Sequence, residues 1–152
     1  MAPASIAIRN LVIRGNVLIN MADYYEFFEQ FLAPSSLRAL TIESCDQSEL
    51  RTFGRLLRSS AAQDLTSVSI DMVYGDYCTS SLLVDAQGGI KLQTVFQPLG
   101  AALAHCTRLQ DVLIGFVHTD AAGDDPVSRR DAFIPILTNL PATLRTFAIH
   151  IR

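Results

Sequence analysis

Five short stretches of the chain share one alternation of apolar and polar positions. "IRNLVI" (Ile8–Ile13), "LRALTI" (Leu37–Ile42), "LTSVSI" (Leu65–Ile70), "LQDVLI" (Leu109–Ile114) and "LRTFAI" (Leu144–Ile149) all read apolar-x-x-apolar-x-Ile. The frames begin at residues 8, 37, 65, 109 and 144, so the steps are 29, 28, 44 and 35 residues. Self-similarity on this scale marks a solenoid of repeated units. The fourth and sixth positions fall on one face of a short strand. The residue between them, such as Thr41 or Ser69, falls on the other. Each frame therefore predicts a strand buried on one face only.

Helical spacing fills the gaps. Tyr24, Phe27, Phe28 and Phe31 lie at i, i+3, i+4 and i+7, one stripe of a helix, with Asn20 as N-cap and Pro34 beyond its end. Asp46 and Glu49 have capping-box spacing ahead of Leu50, Phe53, Leu56 and Leu57. Phe96, Leu99 and Leu103 form a third stripe, with Pro98 expected in or before the first turn. Ser128 is placed to cap a fourth helix carrying Phe133, Ile136, Leu137 and Leu140, shortened or kinked by Pro135 and ended by Pro141. In the long third step, "AQGG" (Ala86–Gly89) reads as a turn between "SSLLVD" and "IKLQTVF", an inserted hairpin.

Strand–helix alternation predicts a parallel sheet with right-handed crossovers. Central strands of a doubly wound sheet are covered on both faces and read as continuous apolar runs. Most frames here are one-sided, which favours helices on a single face. "QDVLIGFV" is the most apolar exception and keeps the doubly wound arrangement open.

Composition fits one domain with a substantial core: 152 residues, 49% of them hydrophobic. A net charge of -3 does not suit nucleic acid, which rewards clustered Lys and Arg. Three widely spaced cysteines, Cys45, Cys78 and Cys106, fit neither a disulfide scaffold nor a structural zinc site. Arg9 and Arg14 interrupt the apolar start, so no signal peptide is read there, and no uncharged run is long enough to span a bilayer. The expectation is an intracellular chain, cytoplasmic or nuclear, without membrane contact.

Candidate chemistry is sparse. In "AHC" (Ala104–Cys106) adjacent helical residues point about 100° apart, so His105 is poorly placed to act as base for Cys106. "GDD" (Gly123–Asp125) lies in the turn-rich "HTDAAGDDPVS" and reads as a solvated loop. "AQGG" lacks the spacing and lysine of a phosphate loop. His118 and His150 have no partner at metal-ligand spacing. No catalytic residue, metal site or cofactor is predicted. The outward residues after each inward Ile do align if the frames are in register: Arg14, Glu43, Asp71, Gly115 and His150. Glu43 and Asp71 would be like-charged neighbours, with Asp111 joining from the next strand, forming an acidic surface suited to a basic partner segment.

The frame resembles a leucine-rich repeat, LxxLxLxx(N/C)xL. "IRNLVIRGNVL" matches throughout, with Asn16 in the polar slot. "LRALTIESC" matches through Cys45, after which Gln47 replaces the last apolar residue. Val73, Val117 and Arg152 occupy that slot in the other three units, so their loops should be bonded differently. By this resemblance Cys45 is a buried repeat residue rather than a nucleophile. The phrases "HCTRLQDVLI" and "LPATLRTFAI" are similar to the cysteine-containing repeats of F-box-type proteins, fungal ones especially. The resemblance implies an α/β solenoid of about five irregular repeats over residues 1–152, with a parallel sheet on the concave face and helices on the convex face. It leaves open that these are part of a longer array.

The function it implies is a non-enzymatic protein-interaction module, in its specific form the substrate-recognition part of an F-box-like ubiquitin-ligase adaptor. Thr41, Glu43, Ser69, Asp71, Asp111 and His150 would contact a partner protein. No F-box-like helical segment is evident in the chain. The alternative is a small α/β enzyme or ligand-binding domain with its site at the carboxyl ends of parallel strands. Its mark would be a pocket converging on Asp71, Asp111 or His118. Oligomeric state is left open.

Overall fold

The computed structural model describes residues 6–14, 22–45, 47–73, 92–117 and 134–151. Strand β1 (Asn10–Arg14) is followed by helix α1 (Ala22–Phe31), β2 (Ala39–Cys45), α2 (Gln47–Arg58), a 3-10 turn (Ser60–Ala62), β3 (Ser67–Val73), α3 (Leu92–Leu103), β4 (Asp111–Val117), α4 (Ile134–Leu137) and β5 (Thr146–Ile151). The five strands form one parallel sheet in sequence order.

The frames lie in register. Ile13 pairs with Ile42, Ile42 with Ile70, Ile70 with Ile114, and Ile114 with Ile149. Leu11, Leu40, Val68, Val112 and Phe147 form the parallel row two residues earlier. One backbone device recurs at every strand entry. The carbonyl of the frame's second residue accepts two N–H groups from the next unit. Arg9 O accepts from Arg38 and Ala39, Arg38 O from Thr66 and Ser67, Thr66 O from Gln110 and Asp111, and Gln110 O from Arg145 and Thr146, at 2.7–3.1 Å. A tight turn, N–H of residue i to C=O of i−3, closes just before Leu65, Leu109 and Leu144, with Ala62, Cys106 and Pro141 as acceptors at 3.1 Å. Units of unequal length thus enter the sheet identically.

The helices form one row, α1 on α2, α2 on α3 and α3 on α4. Phe53, Leu56, Leu57, Leu99, Ala102, Leu103 and Ile136 join the inward strand residues in a single core. Burial is complete at the centre, 0–1% exposure for Leu40, Ile42, Val68, Ile70, Val112 and Ile114, and looser at β1, where Leu11 and Ile13 are 8% and 5% exposed. Phe147 and Ile149 on β5 are only partly buried. On the opposite face Val12 is 54% exposed, while Thr41, Ser69, Leu113 and Ala148 are half-buried.

Several expectations need correction. The sheet is open, with β1 and β5 as its edges, and it is not curled, so the expected concave face is a plain sheet face. Curvature in stacked repeats accumulates from a small rotation per unit, and among the described residues the last unit adds the short α4 to the helical row. Pro98 lies inside α3 rather than in its first turn. It forgoes one intrahelical hydrogen bond, while Leu99, Ala102 and Leu103, all fully buried, hold the helix in place. The "IKLQTVF" stretch is helical from Leu92 onward, not a hairpin strand. Its alternation coincides with i, i+3, i+4, i+7 spacing at Leu92, Val95, Phe96 and Leu99, and the helical period prevails. Phe27 and Leu137, both assigned to inward stripes, are half exposed. They lie on α1 and α4, which among the described residues are packed by a helix on one side only. Asn20, Ser128, the "AQGG" turn and "GDD" lie outside the described residues.

Candidate interaction face

The alternation that buries one face of each strand projects three rows of side chains from the other. At the strand starts the row is Asn10, Ala39, Ser67, Asp111 and Thr146. The middle row is Val12, Thr41, Ser69, Leu113 and Ala148. The last is Arg14, Glu43, Asp71, Gly115 and His150.

Of the six residues picked from sequence, Thr41 and Ser69 are direct cross-strand partners in the middle row. Glu43, Asp71 and His150 belong to the last row, as the frame requires. Their electrostatics differ from the expected acidic cluster in two respects. Arg14 Nε lies 2.8 Å from Glu43 Oε2, so the carboxylate carries its own counter-ion. The β2–β3 register also shifts between Ile42, which faces Ile70, and Cys45, which faces Met72. Glu43 and Ser44 together therefore stand across from Asp71. Such a bulge disrupts the ladder locally and re-aims side chains, loosening the like-charge contact. Asp71 is half-buried. His150 is exposed and stands two strands away, across buried Gly115.

Asp111 does not join them. It begins β4, opposite Ser67 and Thr146, four residues before Gly115 and so about 13 Å along the strand. Asp71 and Asp111 sit at opposite ends of the sheet, and His118 lies outside the described residues. Asp71 and Asp111 therefore do not share one site.

The "AHC" motif resolves into two unrelated residues. His105 is exposed in the turn after α3. Cys106 is fully buried, with its thiol 3.6 Å from the Leu57 carbonyl and 3.9 Å from that of Ala102. Burial removes solvent from the thiolate and pushes the pKa up to about 11, which disfavours the nucleophilic form at neutral pH. The Cys45 side chain lies outside the described residues, so its expected burial has no counterpart here. Among the described residues no cluster of three or more His, Cys, Asp or Glu is arranged to hold a metal ion, and no helix is long and apolar enough to cross a membrane.

Sequence reasoning aligned Arg14 with Glu43 in one row but missed the ion pair between them. It also missed the ring contacts on α1, where Phe27 is exposed and Phe28 and Phe31 are half-buried. There the Phe27 ring lies 4.5 Å from Phe31 and 5.6 Å, edge-on, from Phe28. No known protein family, characterised protein or solved structure matches the chain.

Proposed function

We propose that this chain is a non-enzymatic protein-interaction module built from leucine-rich-repeat-like units, with its polar sheet face as the docking surface. In its specific form the module is the substrate-recognition part of an F-box-like ubiquitin-ligase adaptor. One observation carries the reading. Five frames stand in parallel register with one face buried to 0–1% at the centre, while the opposite face presents Thr41 and Ser69 side by side between the charged last row and Asp111. A sheet face of mostly polar side chains, with Val12 and Leu113 among them, suits recognition of an extended protein surface. It offers no paired acid, base or nucleophile for chemistry. A basic partner segment would dock at Glu43 and Asp71, competing with Arg14 for the Glu43 carboxylate.

The test replaces the centre of the grid. A Thr41→Arg, Ser69→Arg variant keeps the buried rows intact and fills the face with bulk and charge. Proteins crosslinked to the wild-type face in cells, identified by mass spectrometry, should be lost from the variant while its circular dichroism is unchanged. Ubiquitin-ligase scaffold subunits among the specific partners would support the adaptor form. Identical partner sets for wild type and variant would refute the face as the docking surface.

A further inference from the structure

The strand-entry edge of the sheet gathers exposed arginines. Arg9, Arg38 and Arg145 occupy the frame's second position in units one, two and five, and Arg108 stands directly before the fourth frame. All four are exposed. The shared backbone hydrogen bonds fix their spacing, since Arg9 O binds Arg38 N at 2.7 Å and Gln110 O binds Arg145 N at 2.7 Å. Arg58, also exposed, ends α2 next to the turn whose Ser60 and Ala61 carbonyls bind Ser35 and Leu37. Among the described residues the counter-charges at these strand entries are Asp64 and Asp111, which leave a positive excess on one edge of a chain whose net charge is -3.

Two of these guanidiniums are held side by side. Arg108 Nη1 lies 3.1 Å from Asp64 Oδ1, and Arg38 Nη1 lies 3.6 Å from Asp64 Oδ2. Arg38 Nη1 also donates to the Ser35 carbonyl at 2.7 Å. Asp64 is the less exposed member of both pairs, while Arg108 remains 69% exposed. One carboxylate thus orients two cations without neutralising both, so less side-chain freedom is lost when an anion arrives.

We propose that this edge binds an acidic peptide segment of another protein, running across the strand entries from Arg9 to Arg145. This surface is separate from the polar sheet face. Four strand spacings span about 19 Å, the reach of about six extended residues. Carboxylates meet Arg9 at one end, the Arg38–Arg108 pair in the middle and Arg145 at the other end. A nucleic acid fits less well. The row is short, Asp64 and Asp111 interrupt it, and the net negative charge opposes a long polyanion.

Fluorescence anisotropy with labelled hexaglutamate and hexaglutamine tests the proposal on the full chain. Hexaglutamate should bind at low salt, hexaglutamine should not, and affinity should fall as salt rises. An Arg9→Gln, Arg108→Gln, Arg145→Gln variant should bind hexaglutamate about 10-fold more weakly, the combined effect of several exposed pairs. Arg55→Gln, a charge loss on the helical layer, should bind as wild type does. If the triple variant fails to fold, Arg145→Gln alone on the edge strand should weaken binding more than Arg55→Gln. Failure of hexaglutamate to bind, equal affinity for wild type and the edge variant, or tighter binding of a single-stranded oligonucleotide of equal charge would overturn the proposal.

Discussion

The Arg14 guanidinium reaches the Glu43 carboxylate at 2.8 Å, directly across the β1–β2 ladder. This ion pair ties the edge strand to its neighbour on the face opposite the core. Both side chains are well exposed, 75% and 42%, so the attraction is screened and worth about 0.2–1 kcal/mol. Arg14→Glu converts it into a like-charge cross-strand pair and should lower stability by about 1 kcal/mol in urea melts. Exchanging the two residues, Arg14→Glu with Glu43→Arg, should recover most of that loss. An additive double-mutant cycle would show that the pair is not coupled in solution.

Gly54 is buried on α2, facing α3. A β-carbon built there would meet Ala102 Cβ at 3.6 Å, an ordinary van der Waals distance. The helix therefore bears the entropic cost of glycine with room available for a methyl. Gly54→Ala should stabilise the fold by about 0.5–1 kcal/mol, read as a higher urea midpoint at unchanged slope. Gly54→Leu should be destabilising, because the site is buried and Ala102 Cβ already stands at van der Waals distance from a β-carbon.

Ser35 has φ of 55°, a left-handed conformation costly for a residue with a β-carbon. Its N–H is held by the Ser60 carbonyl at 2.8 Å, which fixes the turn, whereas its hydroxyl makes only a 3.4 Å contact to Gln63. Ser35→Gly should retain the turn and raise stability by about 0.5 kcal/mol. Ser35→Val should lower it by more than that. Thermal melts of the two variants, moving in opposite directions, check the backbone origin of the effect.

Cys106 links burial to pH. Its pKa is raised from 9.0 to about 11 by desolvation, so the unfolded thiol ionises first. Between about pH 9 and 11 the native state binds more protons than the unfolded one, and stability falls as pH rises. The full loss is bounded at about 3 kcal/mol. Cys106 occupies the same position before its frame as Ala62 does before Leu65, so Cys106→Ala should fold and should lose this alkaline slope. Urea melts at pH 8 and 10.5 (about 2.5 units apart, spanning most of the shift) separate the variants. Thiol labelling of the folded protein should be far slower at Cys106 than after unfolding.

The shared frame made the sheet legible because a parallel, in-register ladder needs the same alternation in every strand, and the identity of Ile at the sixth position aligned the units despite unequal steps. The helical row was legible at α1 and α2 for the matching reason, a clean 3.6-residue period. The start of α3 was not legible, since Leu92, Val95, Phe96 and Leu99 satisfy helical spacing within a stretch that also alternates. In the candidate site the outward rows followed from register alone, which placed Thr41 beside Ser69 and Arg14 beside Glu43. The bulge after Ile42 left no sequence signal: Glu43 and Ser44 are ordinary strand residues, and only pairing with β3 shows the additional one. Asp111 stands apart from the last row because it precedes the inward Ile114 by three residues, at the entry end of β4.

Local stability should follow position in the row of units. Among the described residues the main contacts of each unit are with its neighbours, so β2, β3 and β4 are flanked on both sides while β1 and β5 are flanked on one. Burial tracks this directly. Inward residues are 0–1% exposed on the three central strands but 5–8% on β1, and Phe147 and Ile149 on β5 are only partly buried. The helical layer shows the same gradient, with Phe27 on α1 and Ile134 and Leu137 on α4 about half exposed while Phe53, Leu99 and Leu103 are fully buried. Opening a terminal unit breaks one strand pairing and uncovers little apolar area, whereas opening a central unit breaks two pairings and exposes the core, so the free energies of opening must differ. Hydrogen exchange should therefore give the strongest amide protection around Leu40, Ile42, Val68, Ile70, Val112 and Ile114, approaching the global unfolding free energy. Protection should be weaker at Val12 and around Ala148. Dilution separates this intrinsic gradient from association through the strand edges: the contrast between centre and ends should be independent of protein concentration. Uniform protection along all five strands would show that the ends are covered in solution.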